Sequence, residues 1–505
     1  MNCGRPSLVR RTAALPAREP KTRYSFSAPY LSAIPSQGCP KVLWRIRGPD
    51  RTFVPGALTP TPRPPLGFGI ALGDTTINSG TNRILAILAL SALLPACATN
   101  PVTGKSDLML VGESEELGMG QQQYAPMRQS EGGDYALDPG VTSYVQRVGN
   151  RLAAVSDRKL PYEFTVINSS VPNAWALPGG KIAVNRGLLT ELKSESELAA
   201  VLGHEIVHAA ARHSAQQMSK GMLAQGGLLA TQLALGNSAY SGLATQGAQM
   251  ASEVVLQKYG RDAELESDRY GMKYMKRAGY DVNGAVSLQE TFVRMSGNKE
   301  SDWFEGLFAS HPPSQERVEA NRKQAAKLGA GGEVGTEAYA AAMAATLAAK
   351  PAYDAYEEGR KALSEKQPDV ALQKAAQAIK LVPGEGQFHA LKGDAYIQQK
   401  NLPAATQAFT DAIAKNNSYF YYPLRRGLIA ENQGKDESAR SDLETSARLL
   451  PTGIAAYALG NIASRANDLD SARKYYSAAA GAGGEVGKAA EQALARLNAQ
   501  QNPAN

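Results

Sequence analysis

Gly359, Gly393 and Gly427 stand 34 residues apart, and Gly460 follows after 33. Ala371, Ala405, Ala439 and Ala472 keep the same spacing. A period of this length restricts residues 351–490 to one architecture. Each unit is a helix–turn–helix too small to bury its own apolar face, and stacked neighbours supply the core. The small residues fall where paired helices must approach closely. Tyr396 and Phe409 fill the gaps between them, and Pro383 and Pro451 end helices. Four units are enough to stack into a stable array.

The spacing resembles that of tetratricopeptide repeats, which implies a concave face that binds a peptide or protein. Residues 326–350, rich in Ala and Gly, are expected to be a linker before the array. Residues 491–505 are expected to form a disordered tail.

A second motif lies upstream, at His204-Glu205-Ile206-Val207-His208. The chain has only five histidines, so a chance match is rare. On a helix, residues i and i+4 share a face, so two imidazoles so placed can hold one zinc ion. The Glu beside the first His can act as general base. Ser194 and Glu197 have the spacing of a capping box. Leu198, Leu202, Ile206 and Ala209 form an apolar stripe on the helix they begin.

A catalytic zinc needs a third protein ligand. A continuation of the motif along the same helix fails, because Ala211 and Ser214 stand where Gly and His would be required. His213, five residues after His208, is rotated off the ligand face of a continuous helix and reads as structural or surface-exposed. The segment Arg261 to Asp268 offers carboxylates instead. Glu264 and Asp268, four apart, can both face the site, with Asp268 orienting an imidazole from behind. Spacing alone leaves Glu264 and Glu266 equally possible as the ligand.

HEIVH followed by R-x-x-E-x-x-x-D resembles the M48 family of zinc metallopeptidases. The resemblance implies Glu264 as third ligand, with one Zn²⁺ per chain held by His204, His208 and Glu264. It implies Glu205 as base and Asp268 as the partner of His204. Gly260 replaces the Ser that usually precedes the Arg. Asn173 to Val184 is similar to the family stretch before the active-site helix. Pro178-Gly179-Gly180 reads as a turn and Lys181–Val184 as an edge strand able to pair with a substrate backbone. Asn173, Gly180, Ile182 and Val184 are therefore the candidate substrate-binding residues. Ser310 to Arg317 is similar to the family's S-H-P-x-x-x-x-R signature. It implies that His311 stabilises the transition state or caps the metal, and that Arg317 supports the site. The expected fold is mainly α: a gluzincin-type peptidase domain over 97–325 with a small edge β-sheet, then an α-solenoid of tetratricopeptide repeats.

Charge excludes a nucleic-acid partner. The net +7 of the chain arises in residues 1–96, which hold twelve Lys/Arg and three Asp/Glu; the remainder has 42 basic and 44 acidic residues. Cys3, Cys39 and Cys97 are the three cysteines, so the metal must be held by nitrogen and oxygen. Residues 1–81 read as a disordered or mis-annotated extension. Residues 82–96 read as a lipoprotein signal peptide, with an apolar run from Ile84 to Ala96. Cys97 after Leu94-Pro95-Ala96 is the expected lipidation site, followed by a flexible tether through Pro101. Ala98 after the cysteine favours the periplasmic face of the outer membrane. Residues 214–255, rich in small residues, read as helix packing, a mobile lid or a membrane-touching segment.

The expected protein is a lipid-anchored zinc endopeptidase acting on polypeptide substrates, namely misfolded or misassembled envelope proteins. Its repeats recruit clients or dock outer-membrane assembly machinery. The alternative is a latent protease acting mainly as a periplasmic chaperone or adaptor. No multi-span membrane pattern supports prenyl-protein processing.

Overall fold

A computed structural model describes residues 97–234, 259–296, 310–329 and 331–501. The expected extension, the signal segment and the part of 214–255 beyond Ala234 lie outside these residues. Among the described residues, no helix is long and apolar enough to cross a membrane.

Strand β1 (Cys97–Thr99) pairs antiparallel with β2 (Ser106–Leu108). This corrects the expected flexible tether. Asn100 is buried beside the pair, and its amide donates to Asp107 (3.0 Å) and Glu266 (3.3 Å). Helices α1 (Glu113–Ser130) and α2 (Pro139–Ala153) lead to a three-stranded sheet of β3 (Glu163–Ile167), β4 (Ala174–Leu177) and β5 (Lys181–Asn185). The strand order is β3-β5-β4. β5 runs parallel to β3 with Phe164 opposite Ile182, and antiparallel to β4 with Trp175 opposite Ala183.

The short α3 (Arg186–Leu189) precedes α4 (Glu195–Ala210), the central helix. Ser194 Oγ accepts the Glu197 N–H at 3.2 Å, and the Glu197 carboxylate accepts from the Lys193 N–H at 2.7 Å. Two donors at the helix start are thereby satisfied. The stripe from Leu198 to Ala209 is buried, and so is the rest of the helix. α5 (His213–Ala234), α6 (Arg261–Arg277), α7 (Asn283–Ser296) and α8 (Gln315–Leu328) follow. α6 crosses α4 at Gly203 and Gly271, where a Cβ on either would lie 3.0–3.2 Å from the other's backbone. Glycine at both positions lets the histidine helix and the carboxylate helix touch.

Residues 326–350 are not a free linker. They contain α9 (Thr336–Ala348), whose Tyr339 and Met343 are buried in the same core as α4. The Tyr339 hydroxyl donates to the Leu189 carbonyl at 2.6 Å. The alanines that read as linker composition let this helix lie close against its neighbours.

Four helix pairs follow: α10 (Lys350–Ser364) with α11 (Pro368–Leu381), α12 (Gly386–Gln398) with α13 (Leu402–Lys415), α14 (Tyr421–Asn432) with α15 (Asp436–Leu449), and α16 (Gly453–Arg465) with α17 (Leu469–Ala480). A Cβ at Gly359, Gly393, Gly427 or Gly460 would come within 2.6–2.9 Å of Leu391, Phe409, Leu443 or Tyr476 respectively. The four periodic alanines have no exposed surface. The repeat is thus a packing code. α18 (Gly484–Gln501) corrects the expected disordered tail over residues 491–501, with Ala490 and Leu497 buried against the last pair, while residues 502–505 lie outside the described residues. A solenoid end exposes an apolar face, and this helix closes it.

The first two helix pairs share the peptidase core, through Tyr353 and Ala355 of α10 and Phe388 of α12. The Gln387 amide donates to the carbonyls of Asn168 (2.7 Å) and Gly132 (3.3 Å), and the Arg186 guanidinium lies 3.3 Å above the Tyr353 ring centroid.

Candidate metal centre

α4 and α6 bring His204, His208 and Glu264 together in a buried cluster, and the turn before α8 adds His311. His204 Nε2 lies 3.0 Å from His208 Nε2 and 3.5 Å from Glu264 Oε2. His208 Nε2 lies 3.3 Å from Glu264 Oε1. Ligands about 2.0–2.1 Å from a tetrahedral zinc stand roughly 3.3 Å from one another. The three donors have that spacing, and two imidazoles with a carboxylate are a zinc ligand set. The residues present therefore fit the metal. His311 Nδ1 stands 3.3 Å from His204 Nε2 and 3.1 Å from Glu264 Oε1, at a fourth corner of the same figure.

Behind the cluster, His204 Nδ1 is 2.8 Å from Asp268 Oδ1. Arg317 donates twice to Asp268, at 2.7 and 2.8 Å, and also bridges to Glu264 Oε2 at 2.8 Å. Glu205 Oε1 is 3.4 Å from His311 Nε2, while its Oε2 is buried with no protein partner.

Charge follows burial and neighbours. Burial pushes the Glu205 carboxyl up, only partly offset by His311 and His204. Burial works to raise Glu264 as well, but His311 and His204 outweigh it and hold it well below the carboxylate range. For Asp268, burial is outweighed by Arg317, so its carboxyl is lowered. His204 is pushed up to about 10, because Glu264 and Asp268 overcome the burial that opposes its charge. Burial takes His208 well below the usual imidazole value.

Of the two roles left open for His213, the structure shows the structural one: it is buried, and it is not turned away, since its Nδ1 lies 3.0 Å from His208 Nδ1. On one continuous helix it would be rotated off the ligand face. α4 ends at Ala210, Arg212 adopts φ 62°, and α5 starts afresh at His213. Arg212 is held there by bonds to Glu116 (2.7 Å) and the Val111 carbonyl (3.0 Å). Glu266, the other spacing-allowed ligand, lies outside the cluster and faces His213 Nε2 at 3.2 Å. Tyr259, which no motif flagged, stacks on His208 with ring centroids 3.9 Å apart.

The substrate-strand expectation is also corrected. β5 is the central strand, paired on both sides, and Ile182 and Val184 are buried in the core. Neither is available to an incoming chain. Gly180, at φ 83°, closes the β4–β5 turn against Tyr162. Asn173 opens β4: its carbonyl accepts the Asn185 N–H at 2.8 Å. That bond sets the phase of the pair, so the N–H and C=O groups of Ala174 and Ala176 point away from β5. β4 is the end strand of the sheet on the side of α4, and among the described residues no further strand pairs with it. A recess of ≈ 40 Å³ lies between β4 and Glu205, with Val201, Met272, Leu288 and Phe292 among its walls.

This constellation, a buried His-Glu-x-x-His helix crossed by a carboxylate helix, defines a metallopeptidase-type centre. Residues 139–325 match the family model described as Peptidase family M48. The chain is 32% identical over 203 residues to the metalloprotease YcaL of Escherichia coli, covering 38% of this chain and 76% of that protein. The chain belongs to peptidase family M48. It is also 31% identical over 257 residues to a putative beta-barrel assembly-enhancing protease of Vibrio cholerae (48% of this chain, 52% of the relative). A third relative is the mitochondrial metalloendopeptidase OMA1 of Schizosaccharomyces pombe, 35% identical over 224 residues (43% and 63%). The matched region thus spans about half to two thirds of the Vibrio and fission-yeast relatives.

Proposed function

We propose that the chain is a zinc metalloendopeptidase of the bacterial envelope that hydrolyses misfolded or misassembled polypeptides. It is anchored by lipid at Cys97 to the periplasmic face of the outer membrane, and its repeat array recruits clients or an assembly machine. The observation that carries the catalytic reading is the convergence of His204, His208 and Glu264 beside a buried carboxylate, Glu205. The name of the Vibrio relative supports the envelope role.

Zinc in this ligand set supplies a Lewis acid that brings the pKa of a water toward roughly 7 and polarises a carbonyl. The chain supplies the rest. Asp268 accepts from His204 Nδ1 and so turns Nε2 toward the ligand cluster. Arg317 fixes Asp268 and Glu264 against each other. Glu205 takes a proton from the attacking water and delivers it to the leaving nitrogen. The side of β4 turned away from β5 pairs with the substrate backbone through the main chain of Ala174 and Ala176 once a substrate parts what covers it. The recess lined by Met272 and Leu288 accepts an apolar side chain next to the scissile bond. Sequencing the products of casein digestion tests this. The account expects Leu, Met or Phe enriched on one side of the cut, and a charge-directed or random pattern contradicts it.

His311 caps the cluster in a resting form and moves aside when a substrate enters. Removing a cap exposes the site, so His311→Ala is expected to raise casein cleavage several-fold (~1 kcal/mol of released restraint). A fall in cleavage with zinc retained would assign His311 to transition-state support instead. The latent-chaperone reading draws on the same capped geometry.

A further inference from the structure

The two histidines that α4 brings to the cluster are supported by different groups. A metal-ligating imidazole donates its second N–H to an acceptor that fixes its tautomer and orientation. His204 has the Asp268 carboxylate for this. For His208, Nε2 lies in the cluster and Nδ1 faces His213 Nδ1 at 3.0 Å. One hydrogen placement satisfies this contact with His208 as a ligand: His208 donates from Nδ1 and His213 accepts through its lone pair. The His213 proton then sits on Nε2, 3.2 Å from Glu266 Oε1. Glu266 in turn accepts from the Asn100 amide at 3.3 Å.

We propose that His213 and Glu266 are positioning residues for the metal ligand His208, forming a His–His–Glu relay that sets its tautomer. Tyr259 covers one face of the His208 ring, and its hydroxyl lies 2.9 Å from Ser214 Oγ. Stacking fixes the plane of the ring. It leaves open which nitrogen carries the proton, and His213 decides that. The left-handed Arg212 makes the contact possible, since a continuous helix would carry residue 213 away from residue 208. The relay ends at Asn100, next to the strand that begins at Cys97, so the segment behind the lipidation site touches the support of a metal ligand.

The inference rests on the metal reading above, and the test separates the two. Zinc affinity is measured on the whole protein by chelator competition, with folding followed by circular dichroism. His213→Leu keeps an apolar volume and removes the acceptor. His213→Asn sets its Oδ1 near the position of the imidazole Nδ1 and restores the acceptor. The expected result is a 10- to 100-fold loss of zinc affinity (about the usual effect of removing such support) in the Leu variant, with the Asn variant within roughly threefold of the parent. Equal affinity of parent and Leu variant, or a greater loss in the Asn variant than in the Leu variant, overturns the relay and leaves a packing role. If the Leu variant does not fold, Glu266→Ala decides: about tenfold weaker binding supports the relay, and unchanged binding overturns it. A folded parent that binds no zinc overturns the metal reading itself, and the relay with it.

Discussion

Glu205→Gln is expected to lower casein cleavage by about 10²–10⁴-fold, the range for loss of a positioned general base, with zinc content unchanged. The amide matches the carboxylate in size but cannot take a proton. Glu205 stands beside the ligand cluster, with one oxygen buried and unpartnered and the other 3.4 Å from His311 Nε2. Its burial favours the proton-accepting role, because a carboxylate kept from water is a stronger base. The same variant separates the two functional readings. Prevention of client aggregation should survive the substitution if the protein works mainly as a chaperone, and proteolysis should not. A Glu205→Gln protein that still cleaves at the parent rate would remove Glu205 from the mechanism.

Arg317→Leu is expected to cost about 3–5 kcal/mol of stability, the usual effect of stripping the partner from a buried ion pair. The substitution strips Asp268 and Glu264 of the guanidinium they share. Urea unfolding of parent and variant at neutral pH measures the gap. The pH dependence has a definite sign. Asp268 is held below its ordinary carboxylate value, mainly by Arg317 acting against burial. Its contribution to the parent is therefore full above the unfolded value of about 4. It is lost as the pH falls through the lowered folded value. The gap between the proteins should narrow in acid. A gap that is small at neutral pH, or that widens in acid, contradicts this account of Arg317.

The local features were legible in the sequence. The spacing of His204 and His208, the capping pair Ser194 and Glu197, and the 34-residue period all depend on helix geometry a few residues at a time. Glu264 and Glu266 differ by two positions on one helix, and spacing could not separate them. The resemblance to the family singled out Glu264, and the structure sets it in the cluster with Glu266 outside. The misreadings share a cause. β5 read as an edge because β4 and β5 are adjacent in sequence, whereas β3, 14 residues upstream of β5, closes its other side. His213 read as rotated off the ligand face because no Gly or Pro marks the break at Arg212. Residues 326–350 read as a linker because alanine serves both loose segments and closely packed helices. Each error concerns contacts between distant segments, which periodicity does not report.

Metal analysis of the purified, folded protein tests the central claim most directly. The account predicts one zinc per chain, retained in Glu205→Gln and lost in a His204→Ala, Glu264→Ala double variant. A folded protein that takes up no zinc, or one that keeps it after both ligands are removed, contradicts the metal centre on which the proposed function stands.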